Sequence, residues 1–112
     1  MQLLLIVLNK VEKLDDLLET FLEEGYSGAT IINSTGMISK MAKHMENYPI
    51  FGSLRFLVDF DREENITIFM ALKDEQVESV KKIVRNVIGD LSQPNTAVMF
   101  TLPILSVEGI DI

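Results

Sequence analysis

Cysteine and tryptophan are absent from this 112-residue chain, histidine occurs once, and 10 basic residues face 17 acidic ones. Without cysteine there is no disulfide, no thiolate nucleophile and no cysteine metal site, and a reducing cytoplasm is the simplest compartment. The formal net charge of -7 argues against nucleic acid as the main partner, because neutralising phosphates needs a basic surface. His44 has no second histidine, no cysteine and no serine in a nucleophile elbow beside it, so one chain assembles neither a triad nor a histidine-rich metal site. It reads as a solvated loop histidine. No long apolar run is present either: the opening Met-Gln-Leu-Leu-Leu-Ile-Val-Leu is too short to span a bilayer. It also lacks the basic start and small-residue cleavage site of a signal peptide.

Aliphatic residues are what the chain has in quantity, and the core is expected to be Leu, Ile, Val and Met with a few Phe. The length fits one domain over 1–112. Chains of this size bury roughly two thirds of their unfolded surface, and many add stability by associating.

Leu3 to Leu8 is an unbroken aliphatic run bounded by Asn9 and Lys10, the pattern of a strand buried on both faces. Val11, Leu14, Leu17, Leu18, Phe21 and Leu22 then recur at helical spacing, with Glu12, Asp15, Asp16, Glu19, Glu23 and Glu24 on the other side, and Gly25 supplies a left-handed stop. These carboxylates are a solvated helix face rather than a metal or acid-base pair. Strands are predicted over 28–33, 66–72 and 96–102, with 104–107 continuing the last one or forming a short edge strand past Pro103. Asp74 is predicted as the N-cap of a second helix whose stripe is Val77, Val80, Ile83, Val84, Val87 and Ile88, closed by Gly89. The order βαββαβ with two helices on one face is the ferredoxin-like arrangement of an α+β domain with an antiparallel sheet. Its strands look apolar on both sides, so the helix-free face is expected to meet another copy of the chain.

The interval between Ser34 and Asn65 is unusually long for a connection between neighbouring strands, which points to a task. It opens with Ser34-Thr35-Gly36-Met37 and carries Lys40, Lys43, His44 and Tyr48 before Pro49-Ile50-Phe51-Gly52. The stretch 52–59 reads equally as a short helix or a strand extension. A glycine at a strand end lets backbone N–H groups approach an anion or a nucleobase edge.

Several stretches, in this order and spacing, carry a family resemblance: Lys13-Leu14-Asp15-Asp16, Glu24-Gly25-Tyr26-Ser27-Gly28-Ala29-Thr30, Gly36, His44-Met45-Glu46-Asn47-Tyr48 and Ile88-Gly89-Asp90. Over its whole length the chain resembles the PII signal-transduction (nitrogen regulatory protein P-II) family, and more closely its divergent PII-like branch. The resemblance implies a trimer with three sheets packed face to face, and an adenine nucleotide in each cleft between subunits. A T-loop over 35–64 and a B-loop over 89–96 would border that cleft. Thr35, Gly36 and Met37 would line the ligand, Ser27, Gly28 and Thr30 would meet the base, and Gly89 and Asp90 would begin the phosphate-facing loop. The T-loop, with Lys40, Lys43, His44 and Tyr48, would engage a transporter, enzyme or regulator.

Two departures bear on the effector. Leu91-Ser92-Gln93-Pro94 stands where the family has a further glycine and a lysine, and Ser106-Val107-Glu108-Gly109 stands where it has arginines. A triphosphate binds weakly without such cations, so ATP, ADP, AMP and cyclic di-AMP are all candidate effectors. Thr35-Gly36 also matches a turn used by cyclic di-AMP receptors. The expectation is a cytoplasmic, non-catalytic regulator that needs no cofactor or metal, binds no nucleic acid and does not insert into membranes. The alternatives are a CutA-like trimeric module and a small ferredoxin-like enzyme.

Overall fold

The computed structural model describes residues 1–42 and 64–110. Four strands form one antiparallel sheet: β1 (Gln2–Leu8), β2 (Thr30–Ser34), β3 (Asn65–Leu72) and β4 (Ala97–Pro103). Their order across the sheet is β2-β3-β1-β4. Helix α1 (Leu14–Glu23) joins β1 to β2, α2 (Met37–Ala42) follows β2, and α3 (Val77–Ile88) joins β3 to β4. The chain is thus α+β and ferredoxin-like, with each long helix crossing over from one strand to a second strand two places away.

Period-two alternation sorts the sheet into two faces. Leu4, Ile6 and Leu8 of β1 pair with Met70, Ile68 and Ile66 of β3, and on this side they join Leu17 and Phe21 of α1 and Val77, Val80, Val84 and Ile88 of α3 in one core. Leu3, Leu5 and Val7 point the other way, beside Ala71, Phe69 and Thr67 on one flank and Leu102, Phe100 and Val98 on the other. No described helix joins these residues to the core. Ile32, Val98, Phe100 and Leu102 keep 47, 48, 51 and 45% of their surface exposed. This open face is a continuous apolar sheet surface.

Gly25 stops α1 as its position suggests. With φ at +89° it turns the chain so that Tyr26 N–H donates to the Phe21 carbonyl and Gly25 N–H to that of Leu22, the paired bonds of a Schellman motif. Gly89, at φ +102°, closes α3. Four readings are corrected. The second strand begins at Thr30 rather than at 28: its ladder with β3 starts with Thr30 opposite Phe69, although β3 itself runs on to Leu72. Asp74 is not an N-cap: it lies inside a 3-10 turn ahead of α3, and its carboxylate accepts from Gln2 Nε2 at 3.2 Å and meets the Met1 amine at 3.3 Å. Gln76 Oε1 accepts the Lys73 N–H instead, at 2.9 Å. Residues 104–107 form no strand, the ladder ending at Pro103. Finally, the predicted long loop starts with α2, whose first helical bond runs from Lys40 N–H to the Gly36 carbonyl at 2.9 Å.

Candidate functional site

One end of the sheet collects the end of β1, the end of β2, the starts of β3 and β4 and the C-terminus of α3. The register dictates this: Leu8 lies opposite both Ile66 and Ala97, and Ser34 opposite Asn65. Thr35, Gly36 and Met37 therefore leave the same sheet end to which Gly89 and Asp90 return. Ser27, Gly28 and Thr30 lie at the other end, separated by the length of β2, roughly 13 Å for its five residues. Within one chain the two groups do not meet. Lys43, His44 and Tyr48 lie outside the described residues, and Lys40 is an exposed residue of α2.

Side chains that sequence reasoning did not select knit this end together. Ser34 Oγ lies 2.8 Å from Thr67 Oγ1 and 3.3 Å from the Asn65 carbonyl, and it donates to Asn65 Oδ1. Asn65 Nδ2 donates to Asn9 Oδ1 at 3.4 Å. Ser34, Asn65 and Thr67 share the open face, so they form a polar edge to an otherwise apolar surface. Next along β1, the Asn9 and Lys10 N–H groups both donate to the Thr96 carbonyl, at 2.9 and 3.0 Å. Lys10 Nζ reaches the Ile88 carbonyl at 3.4 Å, a cation set against the negative end of α3. Asn9 and Lys10 thus link Ser34 and Asn65, the residues that flank the 35–64 segment, to Thr96 of the 89–96 loop. The only sequence signal for this was two polar residues following an apolar run.

The 89–96 loop is organised by Asp90. Its Oδ1 accepts from Ser92 N–H at 2.9 Å and Ser92 Oγ at 2.7 Å, a side-chain mimic of a backbone turn. The Ser92 N–H, followed by its hydroxyl, holds the Asp90 carboxyl below its usual range. It therefore stays ionised at neutral pH, and no Lys or Arg occurs between 89 and 96. Such a loop attracts hydrogen-bonding groups and opposes a dense cluster of phosphate charge.

Gly36 is not required by crowding. A Cβ there would meet Asn65 Nδ2 at 3.7 Å and Ser39 Oγ at 4.0 Å, both ordinary contacts, so the position accepts a small side chain. Among the described residues, no group of three or more His, Cys, Asp or Glu is placed to hold a metal ion, and no helix is long and apolar enough to cross a membrane.

No protein-family model matches the chain, and no curated protein matches it. Among solved structures it is similar to the crystal structure of a functionally unknown protein from Pediococcus pentosaceus ATCC 25745, with a TM-score of 0.65 and 16% identity over 97% of this chain and 96% of that one. At that identity the likeness is one of fold alone.

Proposed function

We propose that the chain is a cytoplasmic, non-catalytic PII-like regulator: a homotrimer that binds a small nucleotide-type effector between subunits and contacts a partner protein through 35–64. The observation that carries this reading is the open sheet face. A surface lined by Ile32, Val98, Phe100 and Leu102, each about half exposed, gains from being covered, and a copy of the same chain offers a matching sheet. Association would also bring the two separated groups of residues together, with Thr35, Gly36, Met37, Gly89 and Asp90 of one subunit facing Ser27, Gly28 and Thr30 of the next.

The effector class follows from the charge of the site. With the ionised Asp90 in the loop and no cation between 89 and 96, a ligand with few phosphates suits the cleft better than a triphosphate. AMP or cyclic di-AMP is favoured over ATP. Sedimentation velocity combined with titration calorimetry against AMP, cyclic di-AMP, ADP and ATP tests both parts. The expected result is a trimer that binds one of the first two more tightly than ATP. A trimer that binds none of the four leaves an effector-free, CutA-like trimeric module, the reading that the cation-poor loop favours next. A monomer at all accessible concentrations overturns both.

A further inference from the structure

Among the described residues, two exposed apolar features lie at the same end of the sheet but at opposite edges. The first is a groove of about 190 Å³ beside the edge strand β2, lined by Leu18, Phe21, Leu22, Tyr26, Ala29 and Ile31. It forms because α1 ends in the Schellman turn before covering β2, leaving Leu22 64% and Ile31 43% exposed at its rim. The second is the arm that follows β4, residues 104–110. A single ladder-like bond from Ile104 N–H to the Met1 carbonyl, 3.1 Å, ties its start to the sheet. Beyond it Leu105 is 98% exposed, with Val107 and Ile110 also in solvent.

We infer that Leu105 of one copy seats in the β2-edge groove of a second copy, as an arm exchanged around the assembly. The fit is chemical and volumetric. A dry apolar cavity of about 150 Å³ accepts a benzene molecule, so a groove somewhat larger admits a leucine side chain. The lining is almost wholly aliphatic and aromatic, and the guest is an aliphatic side chain that stands 98% exposed among the described residues. Topology favours exchange: in the order β2-β3-β1-β4 the groove and the root of the arm stand on opposite outer strands, three strand spacings or roughly 14 Å apart. A contact between two different surfaces of identical chains is heterologous, and repeated by rotation it closes a ring. The arm leaves from β4, the strand whose Val98, Phe100 and Leu102 line the open face, so one assembly can use both contacts. The inference rests on the self-association proposed above and adds to it a second contact, on the helix side of the sheet.

The absence of cysteine makes the test direct. Leu105→Cys chains are mixed with Ile31→Cys chains, and in a parallel arm with Leu22→Cys chains, under mild oxidation. A disulfide forms only where Cα atoms come within about 7 Å. The expected result is a covalent dimer in each mixture and little in any single variant alone. Leu105→Glu should raise the dissociation constant roughly 10- to 150-fold, the worth of one buried leucine side chain. A wild-type oligomer whose mixtures do not cross-link overturns the arm exchange and leaves association through the sheet standing. A Leu105→Cys/Ile31→Cys chain that closes its disulfide within a monomer overturns it in favour of an arm folded onto its own groove. Equal cross-linking of Leu105→Cys alone overturns it as random arm encounter, and a wild-type monomer overturns both proposals.

Discussion

Phe100→Glu is the substitution that most directly probes the open face. Phe100 sits between Leu5 on β1 and solvent, 51% exposed, and it takes no part in the helix-side core. Full burial of a Phe side chain is worth about 1.5–3 kcal/mol. Half of that is already realised in the single chain, so association adds about 0.75–1.5 kcal/mol per copy at this position, or roughly four- to twelvefold in affinity. Replacing the ring by a carboxylate removes this gain and imposes a desolvation cost of several kcal/mol for each charge buried at the interface. For the folded single chain the change forfeits the half already buried, about 0.75–1.5 kcal/mol, too little to unfold a domain of ordinary stability. The expected outcome is separation of the two effects. Sedimentation velocity at micromolar concentration should give the wild type a mass about three times the chain's 12.7 kDa, and the variant the mass of one chain. Far-UV circular dichroism of the variant should keep the shape of the wild-type spectrum, and its urea unfolding should remain a single cooperative transition. A variant that remains trimeric would refute the placement of the interface on this face. A variant that unfolds would refute the separation between the open face and the helix-side core.

Three further outcomes follow from the same geometry. Phe21→Ala, at a site 1% exposed, should cost about 3–5 kcal/mol by lost transfer energy and cavity formation, whereas Leu22→Ala on the adjacent, exposed position should cost under about 1 kcal/mol; urea titration compares them, and equal losses would contradict the assigned helix face. Gly25→Ala should destabilise by about 1 kcal/mol, because a Cβ there meets nothing within 4 Å and the penalty comes from the left-handed φ of +89° alone; an unchanged midpoint would count against the Schellman turn. Asp74, Glu78 and Asp90 have carboxyls held below their ordinary values of 3.8, 4.5 and 3.8, chiefly by Gln2, Arg85 and the Ser92 N–H respectively. Carboxyls with a folded pKa below the unfolded one contribute stability above the ordinary value and lose it as pH falls through the folded one. The melting temperature should therefore drop below about pH 4.5, and Asp74→Asn should make that acid limb shallower. An acid limb of unchanged steepness in the variant would exclude Asp74 as a contributor.

The candidate site was less legible than the fold, and particular residues show why. Thr35-Gly36-Met37 and Gly89-Asp90 stood out as short polar or glycine-containing turns after periodic segments, a property of local chain chemistry. Asn9, Lys10, Ser34, Asn65 and Thr67 did not, since nothing in their order along the chain announces that β1, β2 and β3 align them. Ser27 to Thr30 and Gly36 are close in sequence yet sit at opposite ends of β2, because a strand is the most extended path available to five residues. The six-residue helix α2 was likewise missed: Met37, Ile38 and Met41 span too short a stretch for helical periodicity to register.

By itself the sequence determined the elements whose signal is local and repeated. The apolar stripes of α1 and α3, the aliphatic runs of β1 and β3, and the left-handed stops at Gly25 and Gly89 each follow from side-chain spacing and backbone sterics within about a dozen residues. The element order was then enough for a ferredoxin-like sheet, because right-handed crossovers leave few other topologies. Tertiary structure alone decided that Asp74 turns to Gln2 and the Met1 amine instead of capping α3. It decided that β4 stops at Pro103 and leaves Leu105 in solvent, and that among the described residues no helix joins the face of Leu3, Leu5 and Val7 to the core. Those outcomes depend on which strands pair and in what register, and pairing joins residues as far apart as Leu8 and Ala97, beyond the reach of any local pattern.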